Sequence, residues 1–410
     1  MDSRSDVWSG GVEWLDVGPI DPPPGPGAPR RSRRPWYLLV AVVAVVAVVA
    51  VVVILVAALS RDSKHHSAAP SQPPATVTSS TEAVPSEETS STAPPPVDVK
   101  DTGSKLLDVP VGWELFARGR DSLIRIELAR GRITRTTVPA LDTNGSPFSF
   151  VLGRNRAIVQ SSDSGPGYVV PDGHPARDLP AAFGQQGPIL SGPDPDHFWV
   201  QTVSDRQSVM TLVGLDGRRT GPTIAVPGGL GQAESDGAGY VRFFATGGTY
   251  DARPDGIKRI TGGDLLATGP TRWLARECDE QYHCGITVID RATGARRRLA
   301  TSFSYDQFGG FSAGEIAPDG STAAVTRVDG QGQPHLSLLD LDTGQLRATK
   351  VILNSEQAYF GGVLVWSPDS RWLFVAADQG NLLVLDPRST KASKLRAAVT
   401  NVSQLAFRSG

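Results

Sequence analysis

The chain has 410 residues and a formal net charge of −2 at pH 7, and 40% of its residues are hydrophobic while 20% are charged. A balance this close to neutral excludes the strong positive field by which many proteins hold nucleic acid, so we expect no nucleic-acid partner. The length leaves room for one large folded domain together with tails and linkers.

Residues 1–35 are predicted to form a disordered tail. The segment places Trp8 and Trp14 among acidic residues and continues into the run DPPPGPGAP, Asp21 to Pro29. Such a composition cannot bury a core. A solvated tail is one interpretation, and a docking peptide is the other, with Trp8 and Trp14 binding a cytosolic partner.

Residues 36–59 are predicted to form a single transmembrane helix. The run from Trp36 to Leu59 has no charge, proline or glycine, and as a helix it reaches roughly 36 Å, enough to cross a lipid bilayer. Four arginines precede it within residues 30–34, which places the N-terminus in the cytoplasm and the C-terminal part outside. A cleaved signal peptide is the competing interpretation, although its apolar region should be shorter. We therefore expect a single-pass protein of the cell membrane.

Residues 60–104 are predicted to form an extracytoplasmic linker. They are rich in Ser, Thr, Pro, Ala and Glu and show no apolar period, which is typical of a semi-extended stalk. His65 and His66 could form a metal-binding pair, but no further ligand lies near them in the sequence. No metal site and no cofactor are predicted.

A recurring hairpin turn predicts an all-β domain over residues 105–410. The turn residues are Gly131, Gly173, Gly217, Gly256, Gly294, Gly344 and Thr390. Their spacings of 42, 44, 39, 38, 50 and 46 residues match the size of a four-stranded propeller blade. We therefore predict a seven-bladed β-propeller, and six or eight blades stay open because the second to fourth repeats diverge. Acidic residues near four of these turns are expected to bond to their own turn backbone; they are Asp216, Asp290, Asp340 and Asp386.

The two ends of the domain are predicted to meet in the first blade. That blade starts at the segment from Gly112 to Gly119, which has the character of a second strand, and the chain finishes with an unpaired strand from Asn401 to Phe407. The C-terminal strand should complete the first blade and so remove an exposed sheet edge.

Two turns resemble a known family. The segments WSPDSRWLFVA, Trp366 to Ala376, and IAPDGSTAAV, Ile316 to Val325, are similar to the WD-repeat-like unit of TolB-type propellers, in which an S-P-D-G turn precedes an apolar strand. The resemblance covers two repeats and implies the propeller fold, whereas the helical amino-terminal domain of TolB-type proteins is absent from the sequence. It therefore implies no specific activity. The excess of Arg over Lys and the abundance of Ala, Gly and Val favour a high-GC bacterial origin.

Cys278 and Cys284 are predicted to form a disulfide between the second and third strands of the fifth repeat. They bracket the loop DEQYH, and outside the cytoplasm two such cysteines should oxidise. A zinc site with Cys278, Cys284 and His283 is the alternative, although it lacks a fourth ligand. The disulfide would present Tyr282 and His283 on one face of the propeller.

The connectors on that face supply the other binding candidates. Phe183, Phe308 and Phe360 recur before a glycine and are expected to pack between blades. The residues beside them do not repeat, and aromatic, amide and carboxylate groups suit a protein or sugar surface. The candidates are Tyr305, Asp306, Gln307, Glu356, Gln357 and Tyr359.

No motif of a catalytic site is present in the sequence. The domain contains no G-x-S-x-G elbow, no H-E-x-x-H helix and no phosphate-binding loop, so no catalytic residue is predicted and the protein is not expected to be an enzyme. We expect a non-catalytic protein-interaction or scaffold module of the cell envelope. The alternatives are a module that binds cell-wall glycan and, less favoured, a hydrolase with carboxylates in the central funnel.

Overall fold

The computed structural model describes residues 97–119, 121–138, 149–160, 167–183, 187–204, 207–226, 230, 233–245, 247–279, 281, 283–300, 314–353, 362–397, 399 and 401–409. The predicted tail, the span at 36–59 and most of the linker lie outside these residues. Within the described ranges, no helix has both the length and the apolar character that a membrane crossing requires.

The described residues form β-strands and two short 3₁₀ turns, Ala181–Phe183 and Asp378–Gly380. The first strands in chain order are β1 (Val97–Asp101), β2 (Trp113–Arg118), β3 (Ser122–Glu127), β4 (Arg132–Thr137), β5 (Phe150–Gly153), β6 (Arg156–Gln160), β7 (Gly167–Pro171), β8 (Arg177–Asp178), β9 (Ile189–Ser191), β10 (His197–Ser204), β11 (Gln207–Gly214) and β12 (Arg219–Val226). The next are β13 (Ala233–Ser235), β14 (Val241–Ala245), β15 (Gly248–Arg253), β16 (Gly256–Thr261), β17 (Asp264–Thr268), β18 (Arg272–Cys278), β19 (Cys284–Asp290) and β20 (Arg296–Arg298). The last are β21 (Gly314–Ile316), β22 (Thr322–Val328), β23 (Pro334–Asp340), β24 (Leu346–Ile352), β25 (Leu364–Trp366), β26 (Leu373–Ala376), β27 (Leu382–Asp386), β28 (Lys391–Lys394) and β29 (Gln404–Ser409).

These strands pair mainly as four-stranded antiparallel meanders, which is the architecture of a β-propeller. The sheets have the orders β1-β4-β3-β2-β29, β5-β6-β7-β8, β9-β10-β11-β12, β13-β14-β15-β16, β20-β19-β18-β17-β21-β22-β23-β24 and β25-β26-β27-β28. The sequence predicts seven separate blades, whereas the described strands form six sheets. The difference arises because β17 and β21 pair in parallel and join two meanders into one eight-stranded sheet.

The innermost strands lie side by side around a ring. Contacts join β29 to β5, β5 to β9, β9 to β13, β21 to β25, and β25 back to β29. The ring closes within the first sheet, where β29 pairs antiparallel with β2 from Trp113 opposite Ser409 to Arg118 opposite Gln404. This confirms the predicted closure by the C-terminal strand.

The linker prediction needs one correction. Val97–Asp101, which the sequence places in the linker, forms β1 and pairs with β4 as a fifth, outermost strand of the first sheet. Its alternating sequence VDVKD suits a strand, but it follows a run of three prolines, and composition alone therefore assigns it to the stalk.

The strands bury side chains on both faces because neighbouring sheets pack against both sides of each sheet. In and beside β23, Leu336 and Leu338 join the largest apolar cluster, whereas Leu339 and Leu341 join a second one. Since successive side chains of a strand point in opposite directions, one strand contributes to two cores. This explains why the strands look apolar throughout rather than alternating.

The predicted turn chemistry is confirmed. The seven turn residues from Gly131 to Thr390 all have positive φ, between 56° and 144°, which favours glycine. The four acidic residues predicted to bond to their own turns each accept a backbone N–H of that turn at 2.8 to 3.1 Å. These aspartates therefore shape turns, and the structure gives no reason to group them into a site.

A buried ion pair joins two neighbouring meanders. Asp236, which is fully buried, follows β13 and accepts a hydrogen bond from the guanidinium of Arg291 in the turn after β19. The guanidinium carbon of Arg291 also lies 4.3 Å from the ring centroid of Trp273. Two backbone N–H groups, those of Ala238 and Tyr240, donate to Asp236 Oδ1 at 2.8 Å. Both charges are thus satisfied where water is excluded.

Candidate functional site

The hairpins between the second and third strands of the meanders lie at one end of the propeller, which we call the hairpin face. Successive strands of a meander reverse direction, and the inner strands stand side by side around the ring. The connectors from the outer strand of one meander to the inner strand of the next consequently reach the same end. The hairpin between β18 and β19 and the hairpin between β22 and β23 are both on this face.

A disulfide joins Cys278 to Cys284 across the hairpin of β18 and β19. The two cysteines are directly opposed in the strand register, and their Cα atoms are 3.8 Å apart. This confirms the predicted bridge. The alternative zinc site is wrong for this state of the protein, because the two sulfur atoms are bonded to each other.

Asp279 organises the loop inside the disulfide. Its Oδ1 accepts the backbone N–H groups of Gln281 and His283 at 3.0 and 2.8 Å, and its Oδ2 lies 3.2 Å from His283 Nδ1. The backbone N–H of His283 is the largest cause of the lowered pKa of the Asp279 carboxyl. The imidazole is therefore held through Nδ1, while 77% of the His283 side chain is exposed to solvent.

The next meander repeats this arrangement. Asp329 follows β22 and accepts the backbone N–H groups of Gln331 and Gln333 at 2.9 Å each. Its Oδ2 lies 2.9 Å from Nε2 of His335, and the N–H of Gln333 is the main cause of the lowered pKa of Asp329. The sequence analysis missed both Asp-His pairs. An aspartate at the start of a hairpin with a histidine on the returning side is the signal that could have revealed them.

An aromatic side chain that the sequence analysis also missed is exposed near this face. Phe244 is the fourth residue of β14, close to the hairpin that leads to β15, and 55% of it is accessible to solvent. Its neighbour Phe243 is fully buried. Two adjacent phenylalanines in a strand must point to opposite sides, so the pair in VRFFA was itself a signal.

Of the predicted binding residues, the structure describes His283, which lies on the hairpin face. Tyr282, Tyr305, Asp306, Gln307, Glu356, Gln357 and Tyr359 lie outside the described residues, as do Phe308 and Phe360. Phe183 is described, is fully buried, and packs 6.1 Å from the ring of Phe198. The predicted packing role is therefore confirmed at Phe183.

A buried arginine stands where the ring closes. Arg118 ends β2, is only 3% exposed, and donates from Nη1 to Oε1 of Gln404 on β29 at 2.7 Å. Burial lowers the pKa of its guanidinium to about 10. The pair ties β2 to β29, the last described strand, at the end of β2 that leads to the hairpin face.

Glu315 brings a carboxyl group to the inner ring. It is the middle residue of β21, and its backbone oxygen accepts the indole N–H of Trp366 on β25 at 3.2 Å. Burial raises the pKa of its carboxyl to about 8, and the backbone N–H of Trp366 opposes that rise. This carboxyl group is therefore largely protonated near neutral pH.

The part of the chain that the structure describes contains no group of side chains that could bind a metal ion. No three residues among its His, Cys, Asp and Glu side chains converge at the distances that a metal ion requires. The Asp-His pairs of the two hairpins thus stand as separate pairs.

Comparisons with known proteins give solved structures of low sequence identity and diverse names. No protein-family model and no curated protein matches the chain. Among solved structures, a protein of unknown function from Desulfotomaculum acetoxidans is 12% identical, with a TM-score of 0.44 over 73% of this chain and 99% of its own. TolB from Acinetobacter baumannii is 16% identical, with a TM-score of 0.41 over 77% of this chain and 83% of its own. A protein provisionally named 6-phosphogluconolactonase, from Bacteroides uniformis, is 10% identical, with a TM-score of 0.47 over 72% of this chain and 99% of its own. These names cover different activities and assign none to this chain.

Proposed function

We propose that this chain is a membrane-anchored, extracytoplasmic β-propeller that binds a protein partner of the cell envelope through its hairpin face, without catalysis. The observation that carries the proposal is the disulfide-bridged hairpin, which holds His283 at high exposure on that face. A disulfide persists outside the cytoplasm, where the anchor at residues 36–59 would place the domain.

We also propose that the propeller has seven blades. Each half of the eight-stranded sheet is a complete antiparallel meander of four strands, β17 to β20 and β21 to β24. Only two residue pairs, Ala267 with Gly314 and Thr268 with Glu315, make the parallel connection. If these two halves are counted as two blades, the six sheets contain seven blades, which is the number that the repeat spacing predicts.

A protein partner suits the hairpin face because its groups are held before binding. The disulfide and the backbone bonds of Asp279 restrain one hairpin, and Asp329 restrains the next. Restrained loops lose little conformational entropy on association, and an exposed aromatic such as Phe244 can act as an anchor. We include Tyr282, Tyr305, Asp306, Gln307, Gln357 and Tyr359 in this proposed surface. Cell-wall glycan is the alternative ligand for the same aromatic residues.

Hydrolysis is a second candidate function, favoured by one observation. Glu315 lies on the inner strand β21, its carboxyl group accepts the backbone N–H of Trp366, and its raised pKa of about 8 leaves it largely protonated near neutral pH, as a general acid must be. A second catalytic carboxylate would have to come from another inner strand. Release of sugar from purified wall material by the wild-type protein, but not by Glu315→Gln, would establish this function in place of binding alone.

The test of the binding proposal is photo-crosslinking in cells that produce the protein naturally. A photoreactive amino acid replaces His283, Phe244, Tyr305 or Tyr359, one at a time. The control position is Arg218, which is 86% exposed in the turn between β11 and β12, at the opposite end of the propeller. Discrete protein adducts from the hairpin face, and none from Arg218, are the expected result.

Two outcomes would contradict the proposal. Equal adducts from Arg218 would show that contact is non-specific. Absence of protein adducts at all four positions, together with saturable binding to purified wall material, would replace the protein partner with a glycan.

A further inference from the structure

The exposed ring of Phe244 lies at the junction of two meanders, β13 to β16 and β17 to β20, which we call the seam. Its neighbour Phe243 packs in an apolar cluster with Trp199 and Met210 of the preceding sheet. Since successive side chains of a strand point in opposite directions, Phe244 points to the other side of its sheet, toward the meander β17 to β20. It is nevertheless 55% exposed, so the seam is open at this residue.

Buried threonines close the seam beside Phe244. Thr249 lies opposite Phe244, Thr261 lies opposite Thr249, and both threonines are buried. The register of β15 with β16 shifts between Thr249 and Tyr250, so we take the direction of Thr261 from its own hydrogen bond. Its Oγ1 donates to Oε1 of Glu277 on β18 at 2.6 Å. Because Glu277 directly precedes the disulfide-bridged hairpin, this bond joins the two meanders at the base of that hairpin.

An arginine lies at the hairpin tip next to Phe244. Arg259, on β16, is exposed and donates from Nη2 to the carbonyl oxygen of Gly247 in the hairpin of β14 and β15. Gly247 is three residues from Phe244, which is at most about 10 Å of chain. Arg259 forms no ion pair with a described residue. Its remaining N–H groups can therefore reach a ligand that also contacts the ring of Phe244.

A second exposed arginine lies on the other side of the seam. Arg298 is on β20, and its guanidinium lies against the backbone of Gly285, where it fills the space that a Cβ would need. Gly285 directly follows the disulfide. Glu277, which lies opposite Gly285, pairs with Arg296 instead. Arg298 thus carries its charge beside the disulfide-bridged hairpin without an ion pair to any residue that the structure describes.

These groups favour a partner segment that is acidic and carries an apolar side chain. A guanidinium binds a carboxylate through two parallel N–H bonds, and an exposed aromatic ring is a frequent anchor of protein interfaces. Arg259 is held by a carbonyl and Arg298 by its contact with Gly285, so both lose little freedom on association. A neutral sugar would leave both charges without a counter-charge.

We propose that Phe244, Arg259 and Arg298 form the site at which the hairpin face binds its protein partner. An acidic segment of the partner places an apolar side chain on Phe244 and carboxylates on the two guanidiniums. This inference rests on the proposed binding of a protein at the hairpin face, and it specifies the place of that binding and the chemistry of the bound segment.

The test uses cells that produce the protein naturally, with a photoreactive amino acid at position 283 as the probe of partner binding. Arg259→Glu and Arg298→Glu, introduced one at a time, should each lower the yield of the discrete protein adduct about three- to tenfold, because an attraction becomes a repulsion. The matched control is Arg219→Glu, which should leave the yield within twofold. Arg219 is also exposed and also donates to a backbone carbonyl, that of Gly221 at 3.0 Å, but it begins β12 at the opposite end of the propeller.

A photoreactive amino acid at position 244 tests the chemistry of the bound segment directly. Mass spectrometry of the adduct should place the point of attachment within about four residues of an aspartate or glutamate of the partner. Attachment to a segment that has no acidic residue within this distance would overturn the proposal.

The remaining outcomes separate this inference from the function on which it rests. An adduct at position 283 that neither Arg259→Glu nor Arg298→Glu weakens, or that Arg219→Glu weakens equally, would overturn the site and leave the binding function standing. Absence of any protein adduct at position 283 in the chain without these changes would overturn both. Circular dichroism melting of each purified variant checks that the fold is retained.

Discussion

The carboxyl group of Glu315 makes the stability of the propeller depend on pH. Burial raises its pKa from 4.5 to about 8, whereas the unfolded chain ionises this group at its ordinary value. Between these two pH values the folded state binds more protons than the unfolded state. The contribution of this group is therefore fully present below about pH 4.5 and is lost as the pH rises through about 8.

Glu315→Gln should remove this dependence. We expect the variant to gain stability over wild type as the pH rises from 5 to 8.5, reaching about 1–3 kcal/mol at the upper end. Denaturant unfolding at pH 5, 7 and 8.5 measures the difference. Asp340→Asn is the control: the backbone N–H of Thr343 lowers the pKa of Asp340 and keeps it ionised throughout this range, so the difference of this variant from wild type should stay constant. A gain for Glu315→Gln that does not change with pH would refute this account.

Thr390 occupies a turn position that glycine fills in the other repeats. Its φ of 56° is left-handed, a conformation that costs a β-branched residue about 1–2 kcal/mol. Thr390→Gly should therefore stabilise the protein by about 0.5–1 kcal/mol, somewhat less than the strain because the hydrogen bond from Thr390 Oγ1 to the Ser389 carbonyl is lost. The midpoint of denaturant unfolding measures the change.

The reverse substitution at an equivalent turn is the control for this prediction. Gly344 has a φ of 75°, and a Cβ there would lie 2.9 Å from the carbonyl oxygen of Ala300. Gly344→Thr should destabilise the protein by more than Thr390→Gly stabilises it. A neutral effect of both changes would mean that backbone strain does not decide these turns.

Single residues were predictable from the sequence where their partners are close in the chain. Asp290 and Gly294 belong to one turn, in which Asp290 accepts backbone N–H groups and Gly294 adopts a positive φ. Asp236 and Arg291 are 55 residues apart, and the sequence around each of them does not indicate that its side chain is buried or which residue it pairs with. Their pairing follows only once the strands have been arranged around the ring.

At the scale of one element, the hairpin of β18 and β19 depends on its covalent bridge. The disulfide closes a loop with a sequence separation of 6 residues, so its effect on the unfolded chain is small, on the order of 2 kcal/mol. Its larger effect is local, since it prevents the two strand ends from separating.

Replacing both Cys278 and Cys284 with serine should open this hairpin while the propeller stays folded. We expect faster proteolytic cleavage between residues 278 and 284, fewer adducts from a photoreactive residue at position 283, and a melting curve that remains cooperative. Limited proteolysis with mass spectrometry locates the cleavage, and wild-type protein with and without reductant serves as the control. An unchanged cleavage rate would show that Asp279 alone holds the loop.

Elements were predictable when they repeat and were missed when they do not. The hairpin spacing predicts the four-stranded meanders because each repeat restates the same turn. Among the described strands β1 has no counterpart in the other repeats, and its partner β4 is not evident from local sequence. Phe244 was missed for a similar reason, because the side to which a strand residue points depends on a register that neighbouring strands set.

At the scale of the whole molecule, one strand closes the ring. β29 supplies the inner strand of the first sheet, buries Leu405 in the largest apolar cluster, and brings Arg408 to Glu114 on β2. The two ends of the domain predicted this closure, because the first blade starts at a segment with the character of a second strand and the segment from Asn401 to Phe407 is left without a blade. The parallel pair of β17 and β21 was not predictable, because it joins inner strands of two repeats that share no turn.

Removing residues 401–410 should abolish cooperative unfolding. The deletion exposes the edge of β2 and opens the ring, so we expect a broad melting transition and aggregation. Deleting β1, the outermost strand of the same sheet, is the matched control and should lower the melting temperature only slightly, because four of its five residues are exposed. Cooperative melting of the shortened chain at the wild-type temperature would refute the closing role of β29.

This closure also sets a waiting time during biosynthesis. Arg118 and its partner Gln404 are 286 residues apart, and at about 5–20 residues per second a ribosome needs roughly 15–60 s to make the chain between them. Throughout that interval β2 has emerged but has no inner neighbour. We therefore expect a chaperone to shield the nascent chain until the final strand arrives. Ribosome profiling with a captured chaperone tests this expectation, and it should show that the chaperone binds once β2 has emerged and leaves after β29 has been made.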